Sequence, residues 1–152
     1  LASMKAAAVI APDRKLGDRF QQVLALSHGD NMNMLGLYAY IAAYEEGDEY
    51  LDQLLVYLAG NVAHLQQRLA AELPQIQLIA PQGTYLMWLD CRELGMGNEA
   101  LHDFMIRKAK LGLNDGCSFG RSLNGFMRLN AACPRATLEQ AMRQLEAAVN
   151  SL

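Results

Sequence analysis

The sequence has few of the residues that mark a secreted, metal-binding or nucleic-acid-binding protein. Its 152 residues include three cysteines, which are widely spaced and form no C-x-x-C pair. We therefore expect no disulfide framework and a reduced, cytoplasmic setting. The three histidines are scattered, and a zinc site needs a convergent set of ligands. Lysine and arginine total 13 against 16 acidic residues, a formal net charge of −3, so no metal site and no nucleic-acid partner are expected.

Long apolar runs are missing as well. Charged residues interrupt every stretch before it reaches the roughly 18 apolar residues of a membrane span. The N-terminus also lacks the basic segment and apolar segment of a signal peptide, so we expect neither a membrane partner nor a leader. Hydrophobic residues nevertheless make up 52% of the sequence and charged residues 19%, which is typical of a folded globular chain.

The first part of the chain predicts one strand followed by helices. An apolar run over 6–11 predicts a buried strand. Because that strand begins almost at Leu1, with nothing before it, we interpret the chain as a fragment of a larger protein. Asp13 and Asn33 are placed to cap helices over 14–26 and 34–46.

The strongest periodicity in the sequence predicts a long third helix over 49–73, which Pro74 ends. Its apolar face is formed by residues at helical spacing, with steps of 3, 1, 3, 4, 3 and 4: Leu51, Leu54, Leu55, Leu58, Val62, Leu65 and Leu69. A helix of this length spans about 37 Å. That length suits an element between two domains, and an ordinary long core helix explains the pattern equally well.

The second half of the chain alternates between strand and helix patterns. We predict strands over 75–80, 84–90, 111–114 and 126–131, and helices over 99–110 and 138–150. Thr137 and Gln140 have the spacing of a capping box for the last helix. The order of elements predicts an α/β fold, more narrowly an α+β domain with an antiparallel or mixed sheet covered by helices.

Two motifs in this half give little indication of cofactor binding or catalysis. The stretch 95–100 matches G-x-G-x-x-A, but no strand feeds the turn and position 120 is glycine where a dinucleotide site needs an acidic residue. A loop with an N-cap at Asn98 explains it. Cys117 lies in a glycine-rich loop without a histidine nearby in sequence, so we expect an ordinary thiol there rather than a nucleophile.

Arg128 is the residue whose chemistry is most informative. It lies between apolar residues in the predicted strand 126–131, and the alternation of the strand places Asn130 on the same face. The planar guanidinium binds a carboxylate through two parallel hydrogen bonds, and arginine is seldom buried without a partner. A carboxylate ligand, a surface-facing arginine and an internal ion pair are all consistent with this pattern.

Several stretches resemble one enzyme family. The segment 82–92, QGTYLMWLDCR, resembles a strand of its small domain, and 113–120 together with 125–135, GFMRLNAACPR, resembles its C-terminal core. The segment 42–51 resembles the start of its long helix. On these motifs the chain is identified as similar to the C-terminal part of the cystathionine β-lyase/aminotransferase group of the MalY/PatB type. These are pyridoxal-phosphate-dependent enzymes of fold type I.

The resemblance implies a fold and a reaction. It implies a C-terminal small domain at 75–152, a long interdomain helix at 48–74, and a tail of the large cofactor-binding domain at 1–47. The cofactor is pyridoxal 5′-phosphate, which drains charge from the substrate Cα. In the lyase branch a thiol then leaves Cβ and pyruvate and ammonia follow, whereas in the aminotransferase branch the amino group is passed on.

The resemblance also assigns residues. Arg128 matches the family arginine that binds the substrate α-carboxylate, and Asn130 supports it from the same strand face. The family enzymes are dimers, and 29–40 resembles a segment near their interface, so a homodimer is expected.

The cofactor lysine, by the same resemblance, would precede Leu1, because 1–4 resembles the segment that follows it in the family. We therefore expect no catalytic residue among Lys5, Lys15, Lys108 and Lys110, and an inactive fragment. There are two alternatives. One is an aminotransferase of the same fold, and the other is a standalone binding or dimerisation module without catalysis.

Overall fold

The computed structural model describes residues 2–29 and 32–152. Its main elements are the helices α1 (Arg14–Leu26), α2 (Met34–Glu46), α3 (Asp48–Glu72), α4 (Asn98–Asp103) and α5 (Arg135–Val149), and the strands β1 (Gln77–Leu78), β2 (Leu86–Asp90), β3 (Asn114–Asp115) and β4 (Phe126–Asn130). The chain forms two compact units, Leu1–Gln53 and Leu54–Leu152. In the described residues no helix is both long and apolar enough to cross a membrane.

The first unit contains two capped helices and almost no buried side chains. The carboxylate of Asp13 accepts a hydrogen bond from the backbone N–H of Lys15 at 2.8 Å and so caps α1. The amide oxygen of Asn33 accepts one from the N–H of Gly36 at 2.6 Å and caps α2. Both caps confirm the helices predicted from the sequence. Among the described residues of this unit only Gly36 is buried.

The strand predicted over 6–11 is wrong. This segment is irregular, and Val9 and Ile10 are 61% and 89% exposed. A strand needs a neighbouring strand to accept and donate its backbone hydrogen bonds. Within the part of the chain that the structure describes, no strand pairs with this segment.

The long helix α3 is confirmed within one residue of its predicted bounds. It runs from Asp48 to Glu72, directly after the Gly47 that closes α2. On its second-unit portion the buried residues are Leu58, Asn61, Leu65 and Leu69. This spacing of three and four residues is the stripe that an amphipathic helix presents to a core.

The second unit is built on a four-stranded antiparallel sheet with strand order β1-β2-β4-β3. Side chains alternate between the two faces of a strand, so Met87 and Leu89 of β2 and Met127 and Leu129 of β4 share the buried face. Arg128 therefore points to the opposite, half-exposed face. The expectation of an antiparallel or mixed sheet is thus met by the antiparallel form.

Helices α3, α4 and α5, the π-helical turn after α4 and residues of the connecting loops form one hydrophobic cluster with that buried face. Its fully buried large side chains are Leu65, Leu73, Ile76, Met87, Leu89, Leu101, Met105, Met127, Leu138, Met142 and Leu145. Burial of each such side chain stabilises the fold by about 1.5–3 kcal/mol before entropy is counted. This unit therefore has a core of its own, which holds β2 and β4 rigidly in place.

Two predicted edge strands are shorter than expected. The segment 75–80 contributes only Gln77–Leu78, because the N–H of Ile76 donates to the carbonyl of Leu73 in a turn rather than to a strand. The brief strand predicted at 111–114 begins three residues later than expected, as Asn114–Asp115, and shares only Asn114 with the prediction. Both are edge strands, whose length depends on one neighbour only.

The helix ends of the second half need two corrections. The capping box of Thr137 and Gln140 is wrong, because α5 begins at Arg135 with Pro134 at the cap position and no side-chain cap bond. A proline at a helix start fixes the backbone angle that the first turn requires. Asn98 is likewise the first residue of α4 and not its cap, and a π-helical turn, Phe104–Lys108, continues that helix.

Candidate carboxylate-binding site

Arg128 lies in the middle of β4, between two strands. Its cross-strand neighbours are Trp88 on β2 and Asn114 on β3. All three project from the face of the sheet opposite to the hydrophobic core. This register places a cation, an indole and an amide side by side on a half-exposed surface.

The guanidinium of Arg128 is held on two sides. Its Nη2 donates a hydrogen bond to Oδ1 of Asn114 at 3.0 Å. Its Cζ lies 4.3 Å from the ring centroid of Phe119, over the face of the ring. The ring of Phe119 in turn meets Trp88 edge to face, with 5.4 Å between centroids.

The charge of Arg128 has no protein counterion among the described residues. It takes part in no ion pair there, and its buried Nε has no hydrogen-bond acceptor. An unpaired buried donor costs about 1–3 kcal/mol, so this Nε is a locally unfavourable feature of the site. Of the three interpretations that the sequence allowed, an internal ion pair is therefore not found in this part of the chain. Arg128 is partly exposed, and a guanidinium without a counterion is suited to bind a carboxylate.

Asn130 lies two residues from Arg128 on the same face of β4. Its Oδ1 accepts a hydrogen bond from the N–H of Ala132 at 2.8 Å, which fixes the side chain. Its Nδ2 has no acceptor among the described residues. The structure thus brings both predicted site residues to one face, with the amide N–H group of Asn130 free to donate.

The second arginine of this face is already neutralised. Arg92 makes two hydrogen bonds to the carboxylate of Asp90, at 2.9 and 2.7 Å, and stacks over the ring of Phe126. Through these bonds Arg92 lowers the pKa of Asp90, and Asp90 raises the pKa of Arg92. Arg128 is the arginine of the pair that remains open to an external anion.

The turn that carries Phe119 is anchored by Asp115. One carboxylate oxygen of Asp115 accepts from the N–H of Cys117 at 3.0 Å, and the other accepts from Nδ2 of Asn98 at 2.8 Å. Its carbonyl accepts from the hydroxyl of Ser118 at 2.6 Å. These three bonds bind the 3-10 turn Gly116–Phe119 to the end of β3 and to α4.

Gly116 allows this turn to lie against the start of β4. A Cβ at this position would collide with the carbonyl oxygen of Leu123 and would stand 2.7 Å from that of Phe126. Only glycine therefore fits. The sequence did not indicate Trp88, Asn114 and Phe119 as site residues. Only the strand register in the structure shows that they surround Arg128.

Buried Asn61 of α3 fastens the chain where it leaves β4. Its Nδ2 donates to the carbonyls of Ala131 and Cys133 at 2.9 and 3.0 Å. Its Oδ1 accepts from Nε of Arg135 at 2.8 Å, and the N–H of Arg135 donates to the hydroxyl of Tyr57. The strand that bears Arg128 is thereby tied to α3 within the second unit.

The four lysines differ from a typical imine-forming lysine in their surroundings. Lys5, Lys15, Lys108 and Lys110 are all exposed, whereas a lysine that forms an imine is activated by desolvation or a neighbouring cation. Lys5 lines a cavity of about 600 Å³ in the first unit, beside apolar residues such as Val9 and Phe20.

Cys91 is a buried thiol, and the described residues contain no clustered metal ligands. Burial raises the pKa of the Cys91 thiol to about 12, which keeps it protonated and inert. No group of three or more histidine, cysteine or acidic side chains in residues 2–29 and 32–152 is arranged to hold a metal ion. Gly97 is the N-cap of α4, so the G-x-G-x-x-A stretch is a loop with a cap.

Comparison with known proteins gives a consistent set of relatives, although no family model matches the sequence. The chain is 35% identical over 150 residues to cystathionine β-lyase PatB of Bacillus subtilis. The aligned residues cover 99% of this chain and 39% of PatB. It is 38% identical over 120 residues to protein MalY of Escherichia coli, which covers 79% of the chain and 31% of MalY. The chain thus spans two fifths or less of these relatives' length.

Solved structures give the same result. Cystalysin from Treponema denticola, which contains a pyridoxal 5′-phosphate cofactor, superposes with a TM-score of 0.86 at 28% identity, over 93% of this chain and 36% of cystalysin. A pyridoxal-phosphate-bound C–S lyase from Staphylococcus hominis superposes with a TM-score of 0.75 at 29% identity, over 84% of this chain and 34% of the lyase.

Proposed function

The chain belongs to the MalY/PatB type of pyridoxal-phosphate enzymes of fold type I, and from this we propose that it is part of a C–S β-lyase. The whole enzyme would cleave the Cβ–S bond of an amino acid such as cystathionine and release a thiol, pyruvate and ammonia. The proposal is supported by the relatives, whose names include cystathionine β-lyase and C–S lyase.

For this chain, the proposal rests on the guanidinium of Arg128, which has no counterion among the described residues. We propose that Arg128 binds the α-carboxylate of the amino-acid substrate and that Asn130 donates a further hydrogen bond from its amide. Charge-assisted bonds of this kind orient a substrate as well as bind it. The hydrogen bond from Arg128 to Asn114 and its stacking on Phe119 orient the guanidinium before the substrate arrives.

The cofactor of the whole protein is, in this proposal, pyridoxal 5′-phosphate, which supplies an electron sink for charge on the substrate Cα. The residues of this chain do not fit its attachment, since all four lysines are exposed. We therefore propose that none of the four carries the cofactor and that the chain alone is inactive. Its own contribution is to bind and orient the substrate carboxylate.

The organisation of the whole protein is also proposed from the family. Residues 1–47 would belong to the large domain, 48–74 would form the interdomain helix, and 75–152 would form the small domain of a cytoplasmic homodimer. The exposed apolar side chains of the first unit support burial against further protein, because a surface of this kind marks an interaction site. They include Phe20, Val23, Leu35, Tyr38 and Ile41.

An assay of the complete pyridoxal-phosphate-loaded protein that carries this chain tests the function. Pyruvate released from L-cystathionine without a keto acid supports the lyase, whereas turnover that needs a keto-acid partner supports an aminotransferase. If the complete protein shows neither activity, a non-catalytic module is the remaining interpretation.

The role of Arg128 is tested in the same assay. Arg128→Lys keeps the charge but loses the bidentate fork, so we expect kcat/KM to fall about 10- to 100-fold. Arg92→Lys is the matched control, since Arg92 is engaged with Asp90 on the same face, and it leaves kcat/KM unchanged. Equal losses in the two variants would refute the assignment.

A further inference from the structure

Phe119 covers one face of the Arg128 guanidinium without contributing any polar contact. The ring is itself 47% exposed, so the hydrophobic core does not account for its position. Its neighbours are Arg128, over the face of the ring, and Trp88, which meets it edge to face.

An arginine side chain is long and flexible, and it binds a carboxylate well only when the plane of its fork is fixed. The hydrogen bond to Asn114 fixes one end of the Arg128 guanidinium. A single hydrogen bond still permits rotation about its own axis. Stacking on the Phe119 ring removes that rotation, because a cation is attracted to the ring face.

The position of Phe119 is itself determined by its turn. Asp115 binds that turn through the N–H of Cys117 and the hydroxyl of Ser118, and Gly116 lets it approach β4 closely. The edge-to-face contact with Trp88 restricts the ring further. The turn therefore presents an aromatic ring at one defined place over the strand.

We propose that Phe119 is a positioning residue that fixes the plane of the Arg128 guanidinium and thereby sets the affinity of the site for carboxylates. The inference rests on the proposed function of Arg128 and adds to it a residue that never touches the substrate. An aromatic ring is required at position 119, and an aliphatic side chain of similar size does not replace it.

The test is a titration of the ¹⁵N-labelled 152-residue chain with sodium acetate, with sodium chloride at matched ionic strength as the reference anion. The Arg128 Nε–Hε signal and the side-chain amide of Asn114 report binding. For the unsubstituted chain we expect a saturable response to acetate and none to chloride. Arg128→Lys abolishes the response at Asn114. Absence of the acetate response in the unsubstituted chain would overturn the proposed role of Arg128 and this inference together.

Three variants then test Phe119 alone. Phe119→Leu weakens acetate binding about two- to fivefold, the range expected for loss of an exposed cation–π contact, and Phe119→Tyr restores it. Phe126→Leu is the matched control, because it removes the ring beneath Arg92 from the same face and leaves the acetate affinity unchanged. Backbone amide spectra of each variant verify the fold.

Two results would overturn the inference while the role of Arg128 stands. One is acetate binding by Phe119→Leu at the affinity of the unsubstituted chain. The other is an equal loss in Phe126→Leu, which would show a general loosening of the face rather than positioning by Phe119.

Discussion

Asn61, fully buried in α3, accepts a hydrogen bond from Nε of Arg135 at 2.8 Å. The same amide donates to the carbonyls of Ala131 and Cys133. One side chain therefore satisfies three polar groups just after the strand that bears Arg128. A buried amide with all of its partners specifies a single arrangement of the elements that it joins.

Asn61→Ala should destabilise the second unit. It removes the partners of two carbonyls and of the Arg135 Nε, and a buried polar group without a partner costs about 1–3 kcal/mol. Urea unfolding measures the change. Gln67→Ala, an exposed position on the same helix, is the control and should change stability by less than about 0.5 kcal/mol. Equal stability of the two variants would show that the Asn61 bonds contribute nothing.

Gly116→Ala should destabilise the turn that carries Phe119. The new Cβ meets the carbonyl oxygens of Leu123 and Phe126, which are backbone atoms and cannot move aside cheaply. We expect a loss above about 2 kcal/mol in thermal or urea unfolding. Gly112→Ala has open space around its Cβ and should be neutral or slightly stabilising. A neutral Gly116→Ala would contradict the described approach of the turn to β4.

Cys91 should resist alkylation in the folded chain at pH 8. The thiol is 1% exposed, and burial raises its pKa from 9.0 to about 12, so both access and thiolate are lacking. Mass spectrometry after iodoacetamide treatment should find Cys91 modified only after urea unfolds the chain. The Cys91→Ala variant should lack this urea-dependent modification. Labelling of Cys91 at the same rate with and without urea would contradict its burial.

The same thiol predicts a pH dependence of stability. Because the pKa of Cys91 is higher in the folded state than its ordinary value of 9.0, its contribution is complete below pH 9 and decreases as the pH rises towards 12. The free energy of unfolding of the unsubstituted chain should therefore fall in this range more steeply than that of Cys91→Ala. Parallel curves for the two proteins would contradict the raised pKa.

The Asp90–Arg92 pair predicts an opposite dependence in acid. Arg92 lowers the pKa of Asp90, so the pair stabilises the fold above the ordinary pKa of the carboxyl and loses this effect as the pH falls through the lowered value. Asp90→Asn should therefore be less stable than the unsubstituted chain at about pH 7, and the difference should shrink as the pH falls through the lowered pKa of Asp90. The difference should be small and should shrink in 1 M NaCl, since Arg92 is 65% exposed. A difference that does not shrink as the pH falls into the acid range would exclude the ion pair as its source.

Local signals predicted the helices well. Asp13 and Asn33 cap α1 and α2 as expected, because an N-cap bond involves residues only two or three positions apart. The alternation of β4 also placed Arg128 and Asn130 on one face. The capping box at Thr137 failed because Pro134, a local signal as well, starts the helix three residues earlier.

The features of the fold and of the site that local signals did not predict depend on contacts between distant parts of the sequence. The 6–11 run has the composition of a strand, yet pairing with another strand decides whether it forms one, and none of the described strands pairs with it. Asn114 and Phe119 lie 14 and 9 positions before Arg128, and only the β3–β4 register and the Asp115 turn bring them to its guanidinium. The family resemblance indicated Arg128 but not the residues that hold it.

We propose a division of roles, in which this chain binds the substrate carboxylate and another part of the protein holds the cofactor. The most direct test is to incubate the chain with pyridoxal 5′-phosphate, reduce it with borohydride and map the adducts by mass spectrometry. The account predicts no adduct, or sparse labelling spread over Lys5, Lys15, Lys108 and Lys110. Stoichiometric labelling of Lys5 alone would contradict it, because the chain would then carry a cofactor site of its own.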